Sequence, residues 1–167
     1  MAPGLDPYDL ANPYWQAVAK VLANHIKDLL KQHPDGLELH SGMALGADTI
    51  WAKVIVAARK HYGFNKIKFV ADCPLPTQPS RWPKTSQQTW QKLVDQADVV
   101  NYVTKGQYYP AVMEERNQMM INPSDECIAF WSGSKTGGTA NGVRDARQNQ
   151  VKIWHITPQQ PNKGEYI

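Results

Sequence analysis

The apolar positions near the start of the chain recur at a helical period. Asn12 is a good N-cap, and Pro13 suits the first helical position because its missing N–H costs the helix no bond. The apolar residues that follow lie three and four positions apart, as on one face of an amphipathic helix. They are Trp15, Val18, Leu22, Ile26 and Leu29. The run His33-Pro34-Asp35-Gly36 then predicts the end of this helix.

From residue 37 onward, short apolar runs alternate with helical patterns. Strands are predicted at residues 37–40, 66–71, 99–103, 126–131 and 151–156, and helices at 44–61, 86–97, 109–120 and 140–148. This alternation predicts an α/β fold of three layers, with a mostly parallel sheet of about five strands and helices on both faces. We expect a single domain over residues 1–158 and a flexible tail over 159–167.

Composition excludes several classes of protein. The formal charge is only +3 and the basic residues are scattered, whereas a nucleic-acid groove needs a basic stripe. Two cysteines, Cys73 and Cys127, have no disulfide-framework spacing, and Cys127 lies within an apolar run that indicates a buried strand. No run reaches the roughly 18–20 apolar residues of a membrane span, and the start has no signal-peptide pattern. We expect a soluble cytoplasmic protein that does not contact membranes.

The first glycine-rich loop, residues 41–48, joins a predicted strand to a predicted helix. Its sequence is Ser-Gly-Met-Ala-Leu-Gly-Ala-Asp. Gly42 and Gly46 would let the backbone approach a ligand, and the helix N-terminus would offer free N–H groups to phosphate. Asp48 would repel phosphate and suits a ribose hydroxyl better. The alternative is that the glycines only form a tight turn and Asp48 caps the helix.

The second glycine-rich loop, residues 131–139, has the same position relative to a strand and a helix. Its hydroxyl groups, Gly137-Gly138 and a nearby lysine match a phosphate cradle in chemistry, although the order of residues is not that of a Walker A loop. The alternative is a flexible linker with a helix cap at Thr139. Ligands of open α/β sheets bind beyond the carboxyl ends of the strands, where both loops are predicted.

Three further side chains are candidates for the same cleft. Arg116 lies on a methionine-rich helix, and its guanidinium could bind a phosphate through two hydrogen bonds. The alternative is an exposed arginine that pairs with a nearby Glu on the helix. Trp82 and Trp131 lie in or beside loops and could stack on a base, whereas the other tryptophans with helical spacing favour the core. The histidines and cysteines have no metal-ligand spacing, and no Gly-x-Ser-x-Gly elbow occurs.

Taken together, five motifs in order resemble the YpsA-like (DUF1273-type) branch of the SLOG superfamily, over residues 8–158. They are the 41–48 loop, Pro74-Leu75-Pro76-Thr77-Gln78 with Trp82-Pro83, Arg116-Asn117, Ser124-Asp125, and Gly137-Gly138-Thr139. The superfamily also includes DprA-type DNA-processing proteins and the lysine decarboxylase-like LOG phosphoribohydrolases. The resemblance implies a Rossmann-like sheet and a nucleotide-related ligand, without a settled reaction.

Two departures from the family change what the resemblance implies. Members begin with a strand that ends in Gly-His-Arg-Pro, and this strand is not found ahead of Asn12-Pro13. Either the start of the sequence is truncated, or a neighbouring chain fills the strand position, or the protein lacks this strand. An unfilled strand position would expose unpaired edges and favour homo-oligomers or aggregation. The acidic residue of the LOG motif would fall at Gly142, which has no carboxylate to stabilise positive charge on a ribose.

The favoured function is therefore binding or sensing of a nucleotide or an NAD- or ADP-ribose-like ligand, with no required cofactor and no metal. The alternatives are a LOG-like nucleoside-monophosphate N-glycosidase and, less favoured because of the modest charge, DprA-like binding of single-stranded DNA. The enzyme alternative has only weak catalytic candidates, namely Arg116, Glu115 and Asp125. The expected ligand-binding residues are Ser41, Gly42, Gly46, Asp48, Trp82, Arg116, Asn117, Trp131, Ser132, Thr136, Gly137, Gly138 and Thr139.

Overall fold

The computed structural model describes residues 9–167, so the first eight residues of the predicted domain lie outside the described part. The helices are α1 Pro13–Gln32, α2 Ala47–Tyr62, α3 Lys84–Val94, α4 Val112–Ile121 and α5 Gly138–Gln148. The strands are β1 Leu37–Ser41, β2 Ile67–Cys73, β3 Val99–Tyr102, β4 Glu126–Phe130, β5 Lys152–Ile156 and β6 Gly164–Tyr166. This order confirms the predicted α/β fold of the Rossmann-like, three-layer type.

The local signals at the start of α1 act as expected, whereas α2 begins later than predicted. The Asn12 side chain accepts a hydrogen bond from the Tyr14 N–H at 2.9 Å, and Pro13 is the first helical residue. The predicted start of the second helix at residue 44 is wrong by about one turn. Gly46 has a φ of 81°, a left-handed conformation that a helix cannot contain, so α2 starts at Ala47.

The described strands form two three-stranded sheets that do not pair with each other, whereas the sequence predicts one sheet of about five strands. We refer to them as the two halves of the sheet. β1, β2 and β3 are neighbours in that order and run parallel, with Leu37 opposite Ile67. β4 pairs with β5 in parallel, and β6 adds to β5 in the antiparallel direction. β1 and β4 each pair on one side only, because they belong to different halves.

A cavity of about 720 Å³ separates the two halves. Its walls include β1 from Leu37 onward and the amino half of β4, together with residues of α1, α2 and α4. We refer to it as the inter-strand groove. No strand of residues 9–167 occupies it.

Helix α1 fixes the relative direction of the two halves. Near its start, Trp15 packs against Phe130 at the carboxyl end of β4, with ring centroids 5.5 Å apart. Near its end, His25 Nε2 lies 2.5 Å from Glu126 Oε1 at the amino end of β4. A short turn then leads into β1. β1 and β4 therefore start at the same edge of the sheet, and loops 41–48 and 131–139 leave from the opposite, carboxyl edge.

The apolar core consists of a larger and a smaller cluster. The larger cluster joins α1, α2 and α3 to β1 and β2 and includes Trp154 and Ile156 of β5, so it spans both halves of the sheet. The smaller cluster joins α4 and α5 to β4 and β5. None of the helices in residues 9–167 is long and apolar enough to cross a bilayer.

The predicted flexible tail contains an ordered strand. Residues 164–166 form β6, and the Ile167 N–H donates to the Ile153 carbonyl at 3.0 Å. Gly164 lies directly against the Trp154 indole, and the Tyr166 hydroxyl donates to Glu126 at 2.9 Å. The expectation was wrong because three short polar residues carry little strand signal, whereas the exposed edge of β5 and a large indole provide a surface for them.

Candidate functional site

Four helices begin at the carboxyl edge without a capping side chain. None of the residues before them offers a side-chain hydrogen bond to the first turn; these residues are Gly46 for α2, Pro83 for α3, Ala111 for α4 and Gly137 for α5. The first N–H groups of a helix have no partner within the helix, and the helix dipole makes this end electropositive. The edge therefore carries the backbone chemistry of an anion-binding site.

Most polar groups of loop 41–48 are used within the loop itself. The Ser41 hydroxyl donates to the Asp48 carbonyl at 2.9 Å and accepts from the Met43 N–H at 3.2 Å. The Asp48 carboxylate accepts from the Ala44 N–H at 3.2 Å. These bonds match the tight turn of the alternative given above, but the Asp48 carboxylate bonds to an N–H ahead of α2 and does not cap the helix. Ligand contacts by Ser41 and Asp48 stay predictions.

Arg116 lies inside the protein, where it supports loop 41–48. Its side chain donates to the Gly42 carbonyl and lies 3.8 Å from Asp48, and the residue is only 6% exposed. Gln78 donates to the same carbonyl at 3.2 Å. A Cβ on Gly42 would overlap the guanidinium, which explains the glycine. The alternative of an exposed Arg116 paired with a nearby Glu is wrong, because the residue is buried and its partner is a backbone carbonyl from another loop. Contact of Arg116 with a phosphate stays a prediction.

Asn117, the next residue, connects this arrangement to the second loop. Its side-chain oxygen accepts from Arg116 Nε at 3.0 Å, and its Nδ2 donates to the Gly138 carbonyl at 3.3 Å. Adjacent residues in the middle of α4 thus hold both glycine-rich loops. The loops lie on the same edge of the sheet, as the sequence analysis requires.

Loop 131–139 is open to solvent, unlike loop 41–48. Gly137 has a φ of 101°, and a Cβ added at Gly137 or Gly138 would meet no atom within 4 Å. The side chains of Ser132, Thr136 and Thr139 are exposed. This is the part of the site with free space for a ligand.

Comparison with known proteins identifies the family of the chain. Residues 4–160 match the model of the family described as the YspA SLOG family. The chain belongs to this family. It is similar to an uncharacterized SPbeta prophage-derived protein YoqJ of Bacillus subtilis, at 27% identity over 71% of this chain and 75% of that one. It is also similar to a UPF0398 protein of Bacillus pumilus, at 26% identity over 92% of this chain and 84% of that one.

Two tryptophans of this SLOG chain lie near the loops, and both are half-buried. The Trp131 indole donates to the Ser134 carbonyl at 3.0 Å, and the Arg147 guanidinium lies over its ring at 5.5 Å from the centroid. Trp82 packs against the larger core cluster. Contact of either ring with a base stays a prediction.

The acidic candidates for catalysis lie apart from one another. Glu115 is exposed and accepts a hydrogen bond from the Tyr109 hydroxyl at 2.6 Å, which raises the pKa of that tyrosine. Asp125 lies in the turn before β4 and borders the inter-strand groove at the amino edge. It is therefore at the edge opposite to the loops.

Gly142, which stands where the LOG motif has its acidic residue, faces α4. A Cβ there would lie 3.2 Å from Ile121 Cδ1, so the site has no room for a carboxylate without movement. One turn later on α5, Asp145 is buried, and its Oδ2 has no hydrogen-bond partner among the described residues. Burial and the neighbouring Glu114 raise the pKa of Asp145.

Sequence reasoning did not single out Asp145 or Glu114. For Asp145, the available signal was its spacing from Gly142, because a residue three positions later lies on a similar face of α5. Glu114 in turn accepts from the Asn141 side chain at 3.0 Å. In the described part of the chain, no group of three potential metal ligands comes together.

Proposed function

We propose that this SLOG protein binds a nucleotide or an NAD- or ADP-ribose-like ligand at the carboxyl edge, with a phosphate at the start of α5. The observation that carries the proposal is the Asn117 bond to the Gly138 carbonyl, which holds the open, uncapped α5 N-terminus beside loop 41–48. An anion there gains hydrogen bonds from backbone N–H groups and a favourable helix dipole.

The phosphate would be held by groups that the loop already presents. The N–H groups of Gly138 and Thr139 are at the first turn of α5, and the hydroxyls of Thr136 and Thr139 are exposed. Arg116 acts in this proposal as a positioning residue, because its guanidinium is buried against Gly42. It contributes a positive charge behind the loop rather than a direct contact.

The remainder of the ligand would extend from loop 131–139 toward loop 41–48. Asp48, at the start of α2, is half-buried and is the carboxylate available for a ribose hydroxyl. Trp131 supplies an indole beside the phosphate loop for contact with a base. Cys73 and Cys127 are both free thiols, which favours the cytoplasm, where nucleotide ligands are abundant.

Two variants at one residue test the phosphate position. Gly138 is the first residue of α5 and has open space around its Cβ position, so it tolerates Ala, and Pro is favoured at this helical position. Gly138→Pro removes the N–H proposed to bind phosphate, whereas Gly138→Ala keeps it. Calorimetric titration with AMP, ADP, ADP-ribose, NAD⁺ and cyclic AMP measures both variants and the wild type.

We expect at least one of these nucleotides to bind the wild type and Gly138→Ala alike. Gly138→Pro should weaken binding by about 10- to 100-fold, the effect of one hydrogen bond to a charged group. Equal affinity of both variants would place the phosphate elsewhere. No binding by any nucleotide of the panel would refute the proposal.

A second candidate function is cleavage of the N-glycosidic bond of nucleoside monophosphates. It is favoured by Asp145, whose raised pKa and unpartnered oxygen are features of a general acid. Incubation with nucleoside monophosphates and chromatography for free base test it, with Asp145→Asn as the control. Release of free base by the wild type and not by the variant would support the enzymatic function. Intact nucleotides would exclude it and leave nucleotide binding as the remaining proposal.

A further inference from the structure

Asp145, two turns into α5, is a buried acidic side chain that lacks a hydrogen-bond partner. The residue is 8% exposed, and its Oδ2 atom accepts no hydrogen bond from the described residues. A carboxylate that loses its hydration inside a protein is normally hydrogen-bonded, protonated or paired with a cation. Asp145 therefore requires a partner that the described side chains do not supply.

The group that faces Asp145 is another carboxylate. Glu114, in the first turn of α4, lies at hydrogen-bonding range across the contact between the two helices. Burial, followed by the charge of Glu114, raises the pKa of Asp145. Two ionised carboxylates cannot hydrogen-bond to each other, because neither has a proton to donate. They repel each other unless a proton or a cation lies between them.

Basic side chains do not neutralise this pair. In residues 9–167, neither Glu114 nor Asp145 forms an ion pair. Arg144 partly offsets the rise in the pKa of Asp145, but it is exposed and its Nη2 donates instead to the Asn141 side-chain oxygen at 2.9 Å. From the sheet, apolar residues of β4 and β5 face α5, together with Cys127, whose thiol stays protonated because burial raises its pKa to about 11.

Each carboxylate has one oxygen that is open to a cation. Asn141 Nδ2 donates to Glu114 Oε2 at 3.0 Å, which orients this carboxylate and leaves Oε1 for another partner. Asp145 contributes the unpartnered Oδ2. Glu114 and Asn141 are half-buried, so a hydrated ion can reach the pair from solvent. These are ligands of the kind that Mg²⁺ uses, since it is commonly held by one or two carboxylates and keeps several waters.

We propose that Glu114 and Asp145 bind a Mg²⁺ ion between α4 and α5. The ion is held by Glu114 Oε1, Asp145 Oδ2 and water, and Asn141 fixes the orientation of the Glu114 carboxylate. It offsets both negative charges and joins the first turn of α4 to α5. A site of two carboxylates has no His or Cys, so metal-ligand spacings in the sequence give no signal for it. The inference goes beyond the proposed nucleotide function and does not depend on it.

The ion also decides which chemistry is open to Asp145. A cation keeps the carboxylate ionised, whereas a general acid must carry a proton. Mg²⁺ at this position is therefore incompatible with the general-acid role of Asp145 in the second candidate function. It is compatible with nucleotide binding, because Asn117, one turn after Glu114, holds the Gly138 carbonyl on the same pair of helices.

Calorimetric titration and thermal unfolding with MgCl₂ alone test the site in the full chain at neutral pH. KCl at equal ionic strength is the control for general salt effects. The variants are Asp145→Asn, Glu114→Gln and the matched control Glu115→Gln, which removes the same charge from the next, exposed residue of α4. In metal-free Asp145→Asn the amide can donate to Glu114, so we expect this variant to be at least as stable as the wild type.

We expect Mg²⁺ to bind the wild type and Glu115→Gln alike and to raise the melting temperature of both. Asp145→Asn and Glu114→Gln should each weaken binding by about tenfold or more. Glu114→Gln, at the half-buried end of the pair, decides the test if Asp145→Asn does not fold.

Equal affinity of Glu114→Gln and the wild type would place the ion elsewhere and overturn the proposal. Absence of binding at millimolar Mg²⁺ would also overturn it. In that case, NMR titration of the Asp145 carboxyl would show whether a proton shared with Glu114 takes the place of the ion.

Discussion

The Arg116 guanidinium donates a hydrogen bond to the carbonyl oxygen of Gly42, 74 residues earlier in the chain. This contact fixes the first glycine-rich loop to the middle of α4. Because Asn117 bonds to the Gly138 carbonyl, the second loop is held by the adjacent residue. The arrangement of the candidate site thus depends on two neighbouring side chains.

Gly42→Ala should displace Arg116, because the added Cβ would overlap its guanidinium. Overpacking of this kind costs about 1–3 kcal/mol of unfolding free energy. Urea unfolding followed by tryptophan fluorescence measures the effect. Gly138→Ala is the matched control, since its Cβ meets no atom within 4 Å and a change within about 0.5 kcal/mol is expected. Equal stability of the two variants would contradict the contact.

His40 should make the stability depend on pH. Burial opposes its protonation, but hydrogen bonds to Asp72 at 2.5 Å and Glu38 at 2.8 Å prevail and raise the pKa of His40. Its stabilising contribution is therefore complete below about pH 6.5, the usual histidine pKa, and is lost as pH rises through the folded value. NMR titration of the ring and unfolding at several pH values measure both quantities.

Asp72→Asn is the control for this titration. The substitution removes the nearer negative charge, so the midpoint of His40 should fall and the pH dependence of stability should decrease. A midpoint that does not change in Asp72→Asn would show that the Asp72 carboxylate does not stabilise the protonated ring.

Gly164→Ala should release β6 from the sheet. The Cβ would overlap the Trp154 indole, which packs against the glycine backbone. We expect faster amide exchange at residues 164–167 and cleavage of this segment by trypsin at Lys163. Lys163→Met is the comparison for stability, because its ion pair with Glu165 is exposed and contributes at most about 1 kcal/mol. Slow exchange of the segment in Gly164→Ala would contradict the packing.

Asp98→Asn should destabilise the protein by leaving a buried charge without its counter-ion. The Arg59 side chain is 4% exposed, and its Nη1 lies 2.6 Å from Asp98 Oδ2. The same carboxylate accepts from the Phe69 N–H at 2.8 Å. The expected loss is about 1–3 kcal/mol in thermal or urea unfolding. Asp95→Asn, at an exposed position at the end of α3, should have a much smaller effect.

Several elements could be predicted because their signals are local. Asn12 and Pro13 mark the start of α1, and the spacing from Trp15 to Leu29 identifies its buried face. Four of the strands predicted after β1 start within one residue of their observed positions, since short apolar runs bounded by polar turns identify them. The family also followed from local motifs, of which the 41–48 loop is the longest.

Other features required the tertiary structure. The position of Arg116 could not be predicted, because its partner is a carbonyl group and every residue has one. The order of β6 depends on Trp154, and the position of Asp145 beside Glu114 depends on the packing of α4 against α5. In each case the partner is distant in the chain and has no sequence signature.

The sequence alone determined the alternation of strands and helices, the two glycine-rich loops and the family, because hydrophobic period and glycine positions act over a few residues. Only the tertiary structure decided that both loops meet through Arg116 and Asn117 and that the sheet divides between β1 and β4. Those properties arise from contacts between segments 20 to 90 residues apart, which depend on how the layers pack rather than on any local pattern.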